Sequence, residues 1–317
     1  MKILPNDGLS SSAIELLEKK GFEVLNHKVA QEQLAKFINE NSIEVLLVRS
    51  ATQVRKDLID ECPSLKIVGR GGVGMDNIDV AYAREKGIQV INTPAASSRS
   101  VAELVFAHMF SLYRYLQDSN RNMPLEGDTN FSALKKSYGG ALELGGKTLG
   151  VIGFGRIGAE VAKIGLGLGM KVLVSDAVSF TKTLTLDFYD GQKVNFEIST
   201  TSQDEVLKNA DAISVHVPKQ PKYVIGKEEL NKMKKNAILV NASRGGVIDE
   251  VALVNALNED KIFGAALDVF EKEPNPEITL LMNPKLSLSP HVGGTTKEAQ
   301  ERVGLELADQ IIAYYKK

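Results

Sequence analysis

Residues 148 to 176 restrict the fold of this chain more than any other stretch. An apolar run, Thr148 to Ile152, enters Gly153-Phe154-Gly155-Arg156-Ile157-Gly158; a helical pattern follows over Ile157 to Leu168, and a second run, Lys171 to Val174, ends at Asp176. The order is strand, tight glycine turn, helix, strand, carboxylate. The first glycine permits the turn, the second lets backbone approach a pyrophosphate, and the third packs helix on strand. Helix N-terminal amides then face the anion, and the later carboxylate meets a ribose 2′-hydroxyl. Asp176 would repel a 2′-phosphate, so the pattern favours NAD over NADP.

The same glycine spacing recurs at Gly69, Gly71 and Gly74, but the next apolar run ends in Ile91-Asn92-Thr93-Pro94, without a carboxylate for a ribose. Dinucleotide binding is not expected there. Two readings stay open: a tight strand-to-helix turn, or a cluster of amides that holds a small anion such as a substrate carboxylate.

Short apolar runs at Val45 to Val48, Leu65 to Val68 and Ile88 to Ile91 alternate with helical patterns, and Ala212 to Val217, Ala237 to Asn241 and Ala265 to Val269 continue the series after the glycine loop. This punctuation predicts an α/β protein with two doubly wound units. Ser100-Val101-Ala102-Glu103 fits a capping box that opens a helix apolar on nearly every face through Leu116, expected to pack between domains or subunits. Asn120 to Gly146, with Pro124 and five glycines, predicts an irregular arm. Thr183 to Phe188 and Lys193 to Ile198 alternate in polarity around Tyr189-Asp190-Gly191-Gln192, which predicts a β-hairpin.

The chain's 317 residues, 43% of them apolar, suffice for two domains. Its 38 basic and 40 acidic residues give a net charge of −2, which offers nothing to nucleic acid or anionic lipid, so a small-molecule partner is expected. Cys62 is the single cysteine and reads as a small buried hydrophobe in a reduced compartment. The N-terminus turns polar too soon for a signal peptide, and Glu103, His108 and Arg114 interrupt the most apolar stretch. A cytoplasmic protein is expected.

Hydride transfer at an alcohol carbon needs a group that takes the hydroxyl proton and returns it in reverse; imidazole does both near neutral pH. Of four histidines, His27 lies in a polar connection and His108 in the apolar helix, so both read as structural. His216, at a strand end in Ser214-Val215-His216-Val217-Pro218, is as readily structural as cofactor-lining. His291, between Pro290 and Gly293-Gly294, is the best acid/base candidate. Arg244, just past Ala237 to Asn241, suits a guanidinium that grips a 2-keto acid's carboxylate and polarises its carbonyl. A carboxylate bonded to His291 would orient the ring and favour its protonated form, and Glu271 and Glu273 compete for that place. Each charge taken singly is an ordinary surface residue. No histidine, cysteine or carboxylate spacing calls for a metal.

Together the segments Val68-Gly69-Arg70-Gly71-Gly72-Val73-Gly74-Met75-Asp76-Asn77, the Gly153 loop, Asn241-Ala242-Ser243-Arg244-Gly245, Asp268-Val269-Phe270 and Ser289-Pro290-His291-Val292-Gly293-Gly294 resemble the D-isomer-specific 2-hydroxyacid dehydrogenases over nearly the whole chain. The resemblance implies a catalytic set of Arg244, His291 and, directly before proline, Glu273 rather than Glu271. It implies cofactor contacts from Gly153, Gly155, Arg156, Ile157, Gly158 and Asp176. Further contacts to NAD would come from His216, Val217, Pro218, Ala242, Ser243, Arg244, Asp268, His291, Gly293 and Gly294. Substrate contacts fall on the Val73 and Gly74 amides, Arg244 and His291, with Arg49 meeting a phosphate beside Ser50 and Arg70 a second candidate.

The implied architecture is a Rossmann NAD-binding domain, 99–286, inserted in a flavodoxin-like substrate domain of 1–98 and 287–317, dimeric through the cofactor domain. The implied reaction is oxidation of D-3-phosphoglycerate to 3-phosphohydroxypyruvate, the first step of serine synthesis. Reduction of glyoxylate, hydroxypyruvate or another 2-keto acid is the alternative within the class. An NAD-sensing corepressor-like protein is the rival outside it, against which stand the complete set Arg244, Glu273 and His291 and the absence of basic net charge. The chain departs from the pattern in the hairpin region, in lacking tryptophan in the arm, and in ending at Lys317. No serine-binding regulatory domain, and hence no feedback through one, is expected.

Overall fold

The structure is a computed structural model that describes residues 1–316. Two compact units emerge: Met1–Ser98 together with the chain from Gly294 onward, and Arg99–Gly293.

In the first unit β1 (Lys2–Pro5), β2 (Glu23–Val24), β3 (Val45–Val48), β4 (Ile67–Arg70) and β5 (Gln89–Asn92) form a parallel sheet in the order β2-β1-β3-β4-β5. This is the 2-1-3-4-5 order of flavodoxin-like folds. Both faces are covered, which is why β3 reads as an unbroken Val-Leu-Leu-Val rather than an alternation. Leu34, Ile38, Leu58, Ile59 and Ala83 from three short helices pack on one face. Ala13 and Leu17 of the helix Ser11–Lys19, with Val303, Leu307 and Ile311 of the C-terminal helix Lys297–Tyr315, pack on the other.

The second unit contains β6 (Thr148–Ile152), β7 (Lys171–Ser175), β8 (Thr181–Asp187), β9 (Lys193–Ser199), β10 (Ala212–Val215), β11 (Ile238–Asn241), β12 (Gly264–Leu267) and β13 (Leu286–Leu288). Six of them make a parallel sheet, β13-β12-β11-β10-β6-β7, whose order reverses between β6 and β10. In such sheets that reversal opens the ligand crevice at the carboxyl ends. Strands β8 and β9 pair antiparallel from Thr181↔Ser199 to Asp187↔Lys193. This hairpin hangs on the β7 edge, where Thr200 forms a parallel bridge with Val174 in the place of a third Rossmann strand. Leu184 anchors it, 2% exposed in the core, and Phe180 stacks on Phe154 at 6.0 Å.

Four expectations need correction. The return to the first unit falls at Gly294 rather than 287, because β13 pairs with β12 (Ala265↔Leu286, Leu267↔Leu288) and keeps 287–293 in the second unit. Ser100 does not cap a helix: the helix runs Ser98–Tyr113, Ser100 Oγ donates to Gly293 O at 2.6 Å, and Glu103 pairs with Arg99. Most of that helix is taken up by its own unit's core, where Val105, Phe106 and Met109 pack with Leu149, Val151 and Ala162, and of its large apolar side chains only Phe110 is left exposed. The arm is not irregular, since Leu116–Glu126 and Phe131–Ser137 are helical. Pro124 sits in the last turn of the first of these, whose residues are all at least partly exposed, so water can satisfy the carbonyl it leaves unpaired. Among the described residues no helix is long and apolar enough to cross a membrane.

Candidate active site

Strand register assembles the site. Ile152 pairs with Val215, Val215 with Asn241, Asn241 with Leu267, and Leu267 with Leu288, while Ile152 also pairs with Ser175. The loops after these six strands therefore leave one edge together, spaced by about 4.8 Å per strand. Gly153, Asp176, His216, Ala242, Asp268 and Ser289 each follow a strand end within a residue of this line.

Two glycines of the first loop are dictated by contact. Gly153 has φ +91°, and a Cβ there would lie 2.5 Å from His216 O; one on Gly158 would lie 2.2 Å from Gly153 O. Gly155 differs: it caps the helix Arg156–Gly167, and nothing lies within 4 Å of where its Cβ would be. That open space beside a helix N-terminus is a cradle a side chain would fill, and it fits a pyrophosphate. Asp176 closes the loop, its carboxylate accepting from Phe154 N and Ala177 N, each at 2.7 Å. His216 is half-buried, Nε2 lies 2.7 Å from Ser214 Oγ, and Nδ1 is buried with no partner among the described residues. Burial holds its pKa down at about 3, so it stays neutral and is no proton shuttle near pH 7.

Asn241 shapes the turn that carries Arg244. Its Oδ1 accepts from Ser243 N and Oγ, at 3.0 and 2.7 Å, and its Nδ2 donates to Arg244 O at 3.0 Å. Arg244 Nη1 donates to Ser243 O at 2.6 Å. The next residue, Gly245, is pressed against the following loop: a Cβ would come 1.8 Å from Phe270 O. Glu273 Oε1 accepts from Phe270 N at 2.9 Å, and Oε2 lies 2.8 Å from His291 Nδ1. Glu271 turns elsewhere, exchanging bonds with Glu250 through both backbone amides. His291 is exposed and adopts φ +54°, a left-handed conformation uncommon outside glycine. A cavity of about 440 Å³ lined by Phe270, Glu273, Leu288, Ser289 and His291 adjoins the pair.

Asp268, read from the resemblance as a cofactor contact, is 2% exposed, and its carboxylate accepts from Ser289 Oγ, Val292 N and Gly293 N. Gly294 falls in the first unit, where its carbonyl accepts from Gln300. Val217 is half-buried and Pro218 exposed after β10.

In the first unit the loop after β3 holds Arg49 and the exposed Ser50. Asp7 fixes it, accepting from Arg49 N at 2.6 Å, Thr52 N at 3.1 Å and Thr52 Oγ1 at 2.7 Å, and Asn77 donates to Arg49 O and Thr52 O. Burial pushes the Arg49 guanidinium below its usual pKa, with Asp7 offsetting part of the effect. Arg49 borders a cavity of about 240 Å³ with Asp7, Ser10 and Gly71. The Arg70 guanidinium lies across Gly72, where a Cβ would come 1.7 Å from Nη1. Val73 is exposed and Gly74 half-buried. Asp7, Asn77, Asn241 and Ser289 escaped the sequence reading. Asp7, Asn241 and Ser289 share one signal, a polar residue at or just beyond the end of an otherwise apolar strand; Asn77, well past the end of β4, carries none.

A doubly wound unit with an anion cradle at its reversal and a His–carboxylate pair on the same edge defines a class, the nucleotide-dependent oxidoreductases. Residues 106–293 match the family described as "D-isomer specific 2-hydroxyacid dehydrogenase, NAD binding domain". The chain belongs to this family of NAD-dependent enzymes. It is 42% identical over 312 residues to a hydroxypyruvate reductase of Thermotoga maritima, covering 96% of this chain and 95% of that protein. It is also 42% identical over 316 residues to a D-3-phosphoglycerate dehydrogenase of Methanocaldococcus jannaschii, but spans only 57% of that protein's length. Among solved structures, a glyoxylate reductase from Paecilomyes thermophila superposes with a TM-score of 0.81 at 27% identity, covering 100% of this chain and 95% of that one.

Proposed function

We propose that the protein oxidises D-3-phosphoglycerate to 3-phosphohydroxypyruvate with NAD, with His291 as the acid/base, Glu273 orienting it and Arg244 binding the carboxylate and carbonyl. The observation that carries the chemistry is the 2.8 Å contact between His291 Nδ1 and Glu273 Oε2 on the edge that also bears the glycine loop. Held by its Nδ1, the ring presents Nε2 to the hydroxyl proton and takes it as the carbon is oxidised; in reverse it returns the proton to the carbonyl oxygen. Bound NAD supplies the hydride acceptor. Gly153, Gly155, Gly158 and Asp176 would hold it, and the carboxylate disfavours a 2′-phosphate.

Two features of the first unit suit the two anionic ends of a phosphorylated hydroxy acid, Arg49 the phosphate and a pair of backbone amides the carboxylate. The half-buried Arg49 forms no ion pair among the described residues, because Asp7 is spent on the backbone and on Thr52, and burial works against its charge until an anion arrives. Around Gly72 the Val73 and Gly74 amides meet no protein acceptor among the described residues, which suits them to a substrate carboxylate. Hydroxypyruvate reduction is the second reading, favoured by the full-length match to the Thermotoga maritima enzyme. The reading includes a homodimer through the second unit, supported by exposed Phe110, Leu116, Leu125 and Phe131 along its outer helices.

The test of the chemistry is His291→Gln. Turnover is expected to fall by about 10²–10⁴-fold while NAD affinity is retained. Retained turnover would remove the acid/base role, and lost NAD binding would make His291 structural.

A further inference from the structure

A chain of buried polar groups reaches the back of the His291 turn. His108, 6% exposed within the helix Ser98–Tyr113, places Nδ1 2.8 Å from Ser287 Oγ and Nε2 2.9 Å from Ser289 Oγ. Ser289 Oγ donates to Asp268 Oδ1 at 2.6 Å. The same carboxylate accepts from Val292 N at 2.8 Å and Gly293 N at 2.9 Å, and His291 N donates to Ser289 O at 3.1 Å. Residues on both sides of His291 are thus clamped by one network.

Counting protons gives the network a direction. Asp268 brings only acceptors, so the single hydroxyl proton of Ser289 is spent on it. The Ser289 oxygen must then receive its second bond from His108, which puts a proton on Nε2 and leaves Nδ1 to accept from Ser287. Burial pushes the His108 pKa down, partly opposed by Asp268, in keeping with this neutral tautomer. Packing does not explain the residue. Its helix neighbours Val105, Met109 and Leu112 lie in the apolar core, where an imidazole costs desolvation unless both nitrogens are satisfied. The turn, for its part, needs support, since a non-glycine residue in the left-handed region costs on the order of 1 kcal/mol or more.

We infer that His108 is a positioning residue for the active-site histidine: through Ser289 and Asp268 it holds the left-handed turn that keeps His291 against Glu273. This rests on the acid/base role proposed for His291.

The experiment compares His108→Leu, His108→Gln and Ser289→Ala with His291→Gln, measuring kcat, KM, NAD affinity and melting temperature for each. His108→Leu is expected to lower kcat by about 10–100-fold, with NAD affinity unchanged, because a loosened turn misplaces the reacting nitrogen. Glutamine keeps a donor and an acceptor at nearly the spacing of the two ring nitrogens, so His108→Gln should recover most of the lost kcat. Ser289→Ala should resemble His108→Leu. Wild-type kcat in His108→Leu, or no recovery in His108→Gln, overturns the proposal. If His108→Leu does not fold, wild-type kcat in Ser289→Ala overturns it instead. An inactive His291→Gln beside an unimpaired His108→Leu removes only the positioning role, whereas an active His291→Gln removes the acid/base reading on which it rests.

Discussion

The carboxylate of Asp176 is committed before any ligand arrives, since Oδ2 accepts the Phe154 amide of the glycine loop it faces and Oδ1 accepts the neighbouring Ala177 amide. A negative group so held cannot turn aside from a 2′-phosphate. Asp176→Asn should therefore raise kcat/KM with NADP relative to NAD by about tenfold or more, as expected for removing a partly screened repulsion of about 1–4 kcal/mol at 4 Å. An unchanged cofactor ratio would transfer the discrimination to the neighbouring hairpin. The position of this residue at the glycine loop, though not its proposed role at the ribose, was readable in the sequence because its spacing from Gly153 is local and set by one βαβ turn. Other residues were not. The competition between Glu271 and Glu273 cannot be settled by composition; it is decided by which carboxylate reaches His291 and which accepts the Glu250 amide instead. The contact of His108 with Ser287 spans 179 residues, and no local pattern announces it.

Parallel strands buried on both faces appear as continuous apolar runs, which is why β3 and β6 could be read to the residue and β10, β11 and β12 to within two. Strand β1 was hidden, because Lys-Ile-Leu-Pro has only two aliphatic residues between a charged residue and a proline. The arm was misread for the opposite reason: its glycines and Pro124 are breakers in isolation, yet they lie at helix ends or in turns. Beyond strands, the site depends on loops pressed together at backbone distance. Gly245→Ala is the direct probe, since its methyl would need the space of Phe270 O and must part the Arg244 loop from the Glu273 loop. A loss of about 1–3 kcal/mol in stability and a lower kcat are expected. Wild-type denaturation and turnover would show that the two loops are not coupled.

At the level of the whole molecule, the return of the chain into the first unit was implied only by resemblance, because the helix Lys297–Tyr315 looks like any amphipathic helix until Val303, Leu307 and Ile311 are seen against Ile3 and Leu17. The proposed dimer belongs to this scale too. Leu125 is 79% and Phe131 59% exposed, so a second copy is expected to cover them. Leu125→Glu combined with Phe131→Glu should shift sedimentation equilibrium from dimer toward monomer; a wild type that sediments as a monomer would sink that part of the reading. Substrate choice is the central claim. Its most direct measurement is kcat/KM over a panel of D-3-phosphoglycerate, D-glycerate and D-lactate with NAD, and 3-phosphohydroxypyruvate, hydroxypyruvate and glyoxylate with NADH. The phosphorylated member of each set is expected to lead by about 100-fold or more, the discrimination expected when the half-buried Arg49 is left without its anion. Equal or better activity on glyoxylate, hydroxypyruvate or lactate would contradict it.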